Sequence, residues 1–115
     1  MPRHRLPSSL NSLITEQRDF ETKGFEIGGS PCIGLRFKLG AAQLLVVKAR
    51  KGYVGCSYID LQKAEVLGDA AATLSGISSF DELLSGKVEQ LTKRAAELCV
   101  RKGMGGREAL ELLNR

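Results

Sequence analysis

The chain has 115 residues, of which 43% are hydrophobic and 26% are charged. This length fits one domain with a buried core, and the apolar fraction excludes a disordered chain. With 17 Lys and Arg against 13 Asp and Glu, the net charge is +4, which permits contact with anions without requiring it. Because no clustered basic face with interleaved aromatic residues is visible, we do not expect a dedicated nucleic-acid surface.

The cysteines are odd in number and far apart in the sequence, at Cys32, Cys56 and Cys99. This spacing argues against a disulfide framework and against CxxC redox or zinc chemistry, so we expect reduced thiols. No apolar run has the length of a signal peptide or a transmembrane helix. These features predict a cytoplasmic protein without a membrane partner.

Residues 1–17 are predicted to be an N-terminal extension, partly disordered, and residues 18–115 a single domain. Within the extension, Leu10, Leu13 and Ile14 can form one amphipathic turn that docks on the domain or on a partner. The extension also holds His4, which is the chain's one histidine.

Strands are predicted to dominate the next third of the chain. Gly28-Gly29 is a turn signal that pairs Phe25–Ile27 with Cys32–Leu39 in a hairpin. In the second strand, apolar residues from Ile33 to Leu39 alternate with Gly34, Arg36 and Lys38, which predicts one buried face and one basic face. Gln43–Ala49 is apolar almost throughout, so we expect a central strand covered on both faces. Tyr53–Cys56 returns as a fourth strand of an antiparallel meander.

Helices are predicted mainly in the second half. Asp60 caps a helix from Leu61 to about Leu67 with Gly68 as its stop, and Ala70–Leu74 is a fifth strand. Ser79 to Glu82 is a capping box that opens a short helix ending near Gly86. Lys87–Arg101 has apolar residues at helical spacing, including Cys99, and is the clearest predicted helix. Arg107–Leu113 is predicted to be the last helix, burying Leu110 and Leu113.

This order of elements predicts an α+β fold with two layers. We expect a mainly antiparallel, possibly mixed, sheet of about five strands, with three to four helices packed on one face.

Two blocks carry a resemblance to a known family: Lys51-Gly52-Tyr53-x-x-Cys56-x-x-x-Asp60, and Gly103-Met104-x-Gly106-Arg107-Glu108-Ala109-Leu110. With these blocks in this order, residues 24–113 resemble the YunC-like family, a set of small bacterial and archaeal proteins of unknown function. The resemblance implies a compact α/β domain and no particular activity. Ser57 stands where a glycine commonly follows the cysteine in that family, and Ala70–Ser79 lacks expected arginines, so a ligand site of relatives can be altered here.

The first candidate site is the block from Lys51 to Asp60. Cys56 ends a strand shortly before a helix, where amides and the helix dipole favour a thiolate. However, no base is evident, Lys51 is at the other end of the strand, and Asp60 serves as a cap. The structural alternative is that Cys56 is a small packed side chain. Lys51, Gly52, Tyr53, Cys56 and Asp60 are the ligand-binding candidates of this block.

The second candidate site is Gly105, Gly106 and Arg107. Glycine amides before a helix, with an arginine in its first turn, can hold a phosphate or carboxylate. The spacing matches neither a P-loop nor a dinucleotide fingerprint. The structural alternative is a tight turn between helices, with Gly103 as a C-cap and Gly105 or Gly106 as an N-cap.

Since no complete catalytic constellation is present, the leading hypothesis is a non-catalytic module that binds a ligand or partner and self-associates. A small anionic ligand and a homo-oligomer are the expected partners, and we expect no cofactor and no metal. The alternative is a thiol-dependent enzyme or redox-responsive protein using Cys56, so whether the chain is an enzyme stays open. A second alternative is weak binding of nucleic acid or anions.

Overall fold

A computed structural model describes residues 19–115 as one six-stranded sheet with four helices. The strands are β1 (Phe20–Ile27), β2 (Ser30–Lys38), β3 (Gln43–Lys48), β4 (Gly52–Cys56), β5 (Ala70–Leu74) and β6 (Gln90–Leu91). The helices are α1 (Leu61–Leu67), α2 (Phe80–Ser85), α3 (Lys93–Glu97) and α4 (Gly106–Leu113). The predicted extension, residues 1–17, lies outside the described residues.

The strands are arranged in sequence order from β1 to β6. Neighbouring strands are antiparallel except β4 and β5, which are parallel and joined through α1. The turn between β1 and β2 has positive φ at both Gly28 and Gly29, as the tightest hairpin turn requires. The predicted α+β class with a mainly antiparallel, mixed sheet is therefore confirmed, with six strands instead of about five.

The main core lies between one face of the sheet and helices α2 and α4. Side chains with at most 5% exposure fill it from both layers, among them Leu45, Val47, Val54, Leu74, Phe80, Leu83, Leu110 and Leu113. Strand β5 is buried on both of its faces, because α1 covers the opposite side at Ala71. One detail of the prediction therefore changes: α1 does not share the face of α2 and α4.

The local signals for three helix ends are confirmed. Asp60 accepts a hydrogen bond from the Lys63 amide, and Gly68 ends α1 in the left-handed conformation. Ser79 accepts from the Glu82 amide at the start of α2, as in a capping box. The return bond differs, since Glu82 accepts from the amide of Ser78.

The predicted helix over Lys87–Arg101 is wrong. The segment forms β6, the five-residue α3 and a turn after α3. The open edge of β5 binds this segment: the Glu89 amide donates to Thr73 and the Thr92 amide to Ala71. The Thr92 hydroxyl also caps α3, which cannot begin earlier. Cys99 is exposed at a φ of +79°, so its predicted place on a buried stripe is also wrong.

The predicted orientation of β2 is wrong as well. Cys32 and Gly34 are buried, whereas Ile33 is 64% exposed. A Cβ at Gly34 would lie 2.6 Å from the Phe80 ring and 2.8 Å from the Phe25 ring. The missing side chain thus makes room for these rings, which pack edge to face. Similarly, β3 is fully buried on the face of Leu45 and Val47 but only half-buried on the other.

None of the helices formed by residues 19–115 has the length and apolar character needed to cross a membrane.

Candidate functional site

A basic cleft lies where the turn between β3 and β4 meets the start of β5. Its volume is about 240 Å³. It is lined by Lys48, Arg50, Lys51, Gly52, Tyr53, Gly68, Asp69, Ala70 and Arg94. Four of these side chains are cationic and one is acidic, so the lining favours an anionic occupant.

The backbone of the β3–β4 turn is held by the C-terminal end of α4. The Arg50 amide donates to Asn114 Oδ1 at 2.9 Å, and the Lys51 amide donates to the Leu113 carbonyl at 2.9 Å. The turn is closed by the Ala49 amide, which donates to the Gly52 carbonyl at 2.7 Å. Because these amides are occupied, the turn presents its exposed cationic side chains and not its backbone donors.

Asn114 ties this turn to the first hairpin. Its side chain is 3% exposed, and its amide group donates to the carbonyls of Ile27 at 2.8 Å and Ser30 at 3.0 Å. The same nitrogen lies 3.2 Å from the Cys32 sulfur. Burial raises the pKa of the Cys32 thiol, while this hydrogen bond lowers it by less. Asn114 is therefore an anchor for the cleft although it does not line it.

The floor of the cleft depends on Gly52. In the parallel ladder Gly52 is opposite Ala70, and a Cβ at Gly52 would lie 2.1 Å from the Ala70 carbonyl oxygen. That distance is far below any tolerated contact, so only glycine allows β5 to start here. The close approach brings Asp69 beside Tyr53, whose hydroxyl donates to Asp69 Oδ2 at 2.8 Å.

The Tyr53–Asp69 pair joins a neutral phenol to a carboxylate through one hydrogen bond. Burial of the phenol, the hydrogen bond to Asp69 and the negative charge of Asp69 together raise the pKa of Tyr53 to about 12. Tyr53 is thus a stable donor at neutral pH and no source of negative charge. Asp69 is positioned further by its carbonyl, which accepts from the Thr92 hydroxyl at 2.7 Å.

The cationic side chains are largely available for a ligand. Within residues 19–115, the side chains of Lys48, Arg50 and Lys51 make no salt bridge. Arg94 pairs with Glu97 at 3.0 Å, but both side chains are about half exposed, and such pairs contribute little. The cleft therefore keeps an excess of positive charge.

Cys56 lies at the far end of β4 and is 5% exposed. The cleft begins at Gly52, four residues away, which is roughly 13 Å along a strand. The sulfur accepts a hydrogen bond from the Leu45 amide at 3.4 Å, as a packed side chain does. Asp60 uses its carboxylate to cap α1, accepting from the Lys63 amide at 3.1 Å.

A second cleft, of about 340 Å³, opens beside Asp60. It contains Thr73, Glu89 and Gln90, and Glu89 already accepts hydrogen bonds from Ser75. No group of three or more His, Cys, Asp or Glu residues suited to a metal ion occurs within residues 19–115. None of the residues that line this cleft is cationic.

The glycine loop before α4 is used for packing. The Gly106 amide donates to the Gly86 carbonyl at 2.9 Å, and a Cβ at Gly106 would lie 2.0 Å from the Leu83 carbonyl oxygen. Gly105 is the N-cap of α4, as predicted. Gly103 is not a C-cap, because α3 ends earlier and the Gly103 amide donates to Val88. Arg107 is exposed at the opposite end of α4 from Lys51.

The structure thus brings together Lys51, Gly52 and Tyr53 from the predicted site residues, and separates them from the others. Cys56 and Asp60 lie at the other end of β4, and Gly105, Gly106 and Arg107 at the start of α4. Sequence reasoning missed Lys48, Arg50, Asp69 and Arg94. The run Lys48-Ala49-Arg50-Lys51, three cations beside a turn, was the available signal; nothing local indicated Asp69 or Arg94.

Comparison with known proteins adds a family to this geometry. Residues 55–113 match the family described as a domain of unknown function, DUF1805. The uncharacterized protein YunC of Bacillus subtilis (strain 168) is 32% identical over 88 residues, which are 73% of this chain and 87% of that protein. The crystal structure of TA1206 from Thermoplasma acidophilum, a protein of unknown function, superposes with a TM-score of 0.79 at 30% identity. That match covers 82% of this chain and 92% of the other. The predicted resemblance is confirmed, and the chain belongs to the DUF1805 family of YunC-like proteins.

Proposed function

We propose that this chain is a non-catalytic cytoplasmic module that binds a small anionic ligand in the basic cleft and associates with a second copy of itself. One observation supports the anionic ligand: four cationic side chains line a single cleft, and its one acid, Asp69, is already hydrogen-bonded to Tyr53. The free cysteines of the domain, none of them in a disulfide, support a reducing compartment.

The size of the cleft favours a small ligand. Pockets for drug-sized molecules measure about 300–1,000 Å³, whereas this cleft measures about 240 Å³. A phosphate or carboxylate group with little attached to it fits this volume. The guanidinium groups of Arg50 and Arg94 suit the bidentate geometry of such anions, and the two lysines add point charges.

The affinity for a bare anion should be modest. Each exposed charge pair contributes up to about 1 kcal/mol, so four cations give roughly 3–4 kcal/mol. This sum corresponds to a Kd near the millimolar range. Because the charges are exposed, binding should weaken with added salt, which screens them over about 8 Å at physiological ionic strength.

The geometry does not favour thiol chemistry. Cys56 is nearly inaccessible and its sulfur is a hydrogen-bond acceptor for a backbone amide. Residues 19–115 contain no histidine to serve as its base. We expect a thiol probe to label exposed Cys99 first, and to label Cys32 and Cys56 only when the protein unfolds. Labelling of Cys56 well before the other two thiols in native protein would instead support the thiol alternative.

The test of the ligand uses inorganic phosphate as the probe. Titration at low salt, followed by amide chemical shifts, should perturb residues of the cleft with a Kd near millimolar. The double variant Arg50→Gln/Lys51→Gln should weaken binding at least tenfold. Its control is Lys38→Gln/Lys102→Gln, which removes the same net charge from exposed positions outside the cleft and should bind nearly as well as the unmodified chain.

Two results would overturn this proposal. Equal weakening in both double variants would mean that only the net charge matters. If phosphate changed no amide chemical shift in the cleft, the proposed anion binding would be refuted. A single-stranded oligonucleotide that binds far more tightly than phosphate, with a steep salt dependence, would favour the nucleic-acid alternative.

A further inference from the structure

An apolar patch is exposed on the face of the sheet opposite to the main core. It consists of Phe20, Ile33, Leu35, Phe37, Leu44 and Val46, and we call it the sheet patch. The exposed fractions are 49% for Phe20, 64% for Ile33 and 40% for Phe37. The other three members are half-buried. This is the same alternating face of β2 that the sequence pattern predicts to be buried.

The ladder makes the patch continuous across three strands. Phe37 lies between Phe20 and Leu44, and Leu35 lies between Thr22 and Val46. The rings of Phe20 and Phe37 pack edge to face with their centroids 5.9 Å apart. The patch is therefore a continuous surface on regular strands and not a set of scattered side chains.

Its extent matches that of the largest apolar patch on a typical monomer. An aromatic or large aliphatic side chain has an area of about 150–250 Å², so the three exposed members present on the order of 300 Å². The half-buried members and the rim enlarge this surface. Patches of about 300–600 Å² are the largest that typical monomers carry, and they are often interaction sites.

The fold covers only part of this face. Ala71 and Thr73, on the same face in β5, are buried on the side where α1 packs against this strand. Strands β1 to β3, on the other side of β4, have no such cover among residues 19–115. A second layer is therefore present over one half of the face and absent over the other.

We propose that a second copy of this chain covers the sheet patch, forming a dimer in which the two β1–β3 faces pack against each other. Sheets pack face to face when both faces are apolar, as the two copies of one patch are. The charges at the border fit the same arrangement. Glu26 in β1 and Lys48 in β3 lie on this face at the same end of the patch, and neither makes a salt bridge within the described chain.

A twofold axis along β2 explains this pairing. It places β1 of each copy over β3 of the other, so that Glu26 of one protomer approaches Lys48 of its partner. Like charges are not forced together, and the apolar rows meet apolar rows. The inference extends the self-association in the proposed function and does not depend on anion binding. Lys48 belongs to both surfaces, and the other three cations of the cleft lie outside the sheet patch.

The test is the mass of the full chain in solution, measured by light scattering and sedimentation. The monomer mass is 12.5 kDa, and we expect twice that value. Phe37→Glu should raise the dissociation constant of the dimer at least tenfold. Ile33→Asp, at the most exposed position of the patch, should do the same with less risk to folding. Val66→Glu on α1, a residue that is 82% exposed outside the patch, should remain dimeric.

The readouts separate this inference from the anion site. Arg50→Gln/Lys51→Gln should remain dimeric even though it loses phosphate. A monomeric unmodified chain would overturn the inference, and so would a dimer that survives both patch variants while they keep native circular dichroism. If the unmodified chain is a monomer and its patch residues become accessible to solvent only when residues 1–18 are deleted, that segment and not a second copy covers the sheet patch.

Discussion

Replacing Asn114 by alanine should be among the most destabilising changes to a polar residue of this domain. The side chain is 3% exposed and accepts a hydrogen bond from the Arg50 amide. It also donates to the carbonyls of Ile27 and Ser30, from a residue 84 or more positions away. Alanine would remove these bonds and leave their partners without replacements inside the protein.

The expected cost follows from these contacts. Each of the three hydrogen bonds to the backbone contributes about 1 kcal/mol net, and more where the abandoned group stays buried. We therefore expect a loss of about 3 kcal/mol in the free energy of unfolding, a large share of the 5–15 kcal/mol that domains usually have. The melting temperature should fall by roughly 10–15 °C.

Urea denaturation followed by circular dichroism measures this loss directly. Arg115→Ala is the matched control. The Arg115 side chain is next in the sequence and exposed, so its removal should change the free energy of unfolding by less than about 0.5 kcal/mol. Asn114→Ala should also weaken phosphate binding, since Asn114 holds the turn of the basic cleft without touching the ligand. A loss below about 1 kcal/mol with unchanged phosphate affinity would refute the role of Asn114 as an anchor.

Two further predictions concern a glycine and a tyrosine. Gly106→Ala should lower the free energy of unfolding by several kcal/mol, because its Cβ would lie 2.0 Å from a carbonyl oxygen. In the control Gly105→Ala, the Cβ would lie 3.9 Å from its nearest neighbour, so the loss should be under about 1 kcal/mol. Comparable losses for the two variants in thermal melts would contradict this prediction. In a Tyr58→Phe background, ultraviolet titration should give Tyr53 a pKa of about 12. Folding raises this pKa from the ordinary value near 10. The protonated Tyr53 phenol therefore contributes its full stabilisation of the fold below about pH 10 and loses it between about pH 10 and 12. Asp69→Asn should lower the pKa, and a pKa that does not move would contradict the assigned contact.

Several elements were predictable because their signals are local. Gly28 and Gly29 both adopt positive φ, so the hairpin follows from the conformations that glycine permits. Asp60 and Gly68 delimit α1 because a cap needs only a side chain and an amide three residues apart. The resemblance to YunC-like proteins also rests on short blocks that can be read in order.

The helix over residues 87–101 failed for a non-local reason. Its apolar spacing is genuine, and Val88 and Ala95 are indeed buried. However, the amides of Glu89 and Thr92 find carbonyl partners on β5, and no property of the segment itself reveals that this edge is open. In pairing with β5, the segment satisfies backbone groups at the edge of the sheet, which it would leave unpaired if it formed a helix.

The candidate site divides in the same way. Lys51, Gly52 and Tyr53 were predicted as neighbours because they are adjacent in the chain. Arg94 and Asp69 join them only after β5 has paired with β4, and Asn114 reaches the turn only through α4. Cys56 shares the motif, but a strand holds its side chain roughly 13 Å away from the cleft.

The sequence by itself determined the fold class, the turns and caps, the family and the presence of an apolar alternating face on β2. Only the tertiary structure decided which face of β2 is buried, because the rings of Phe25 and Phe80 occupy the space that Gly34 leaves open. The same packing exposes Ile33 and Phe37. The pairing of β5 with β4 gathers the cations of two distant segments around Tyr53. Alternation specifies that two faces differ, whereas the choice between them depends on the residues that arrive from elsewhere in the chain.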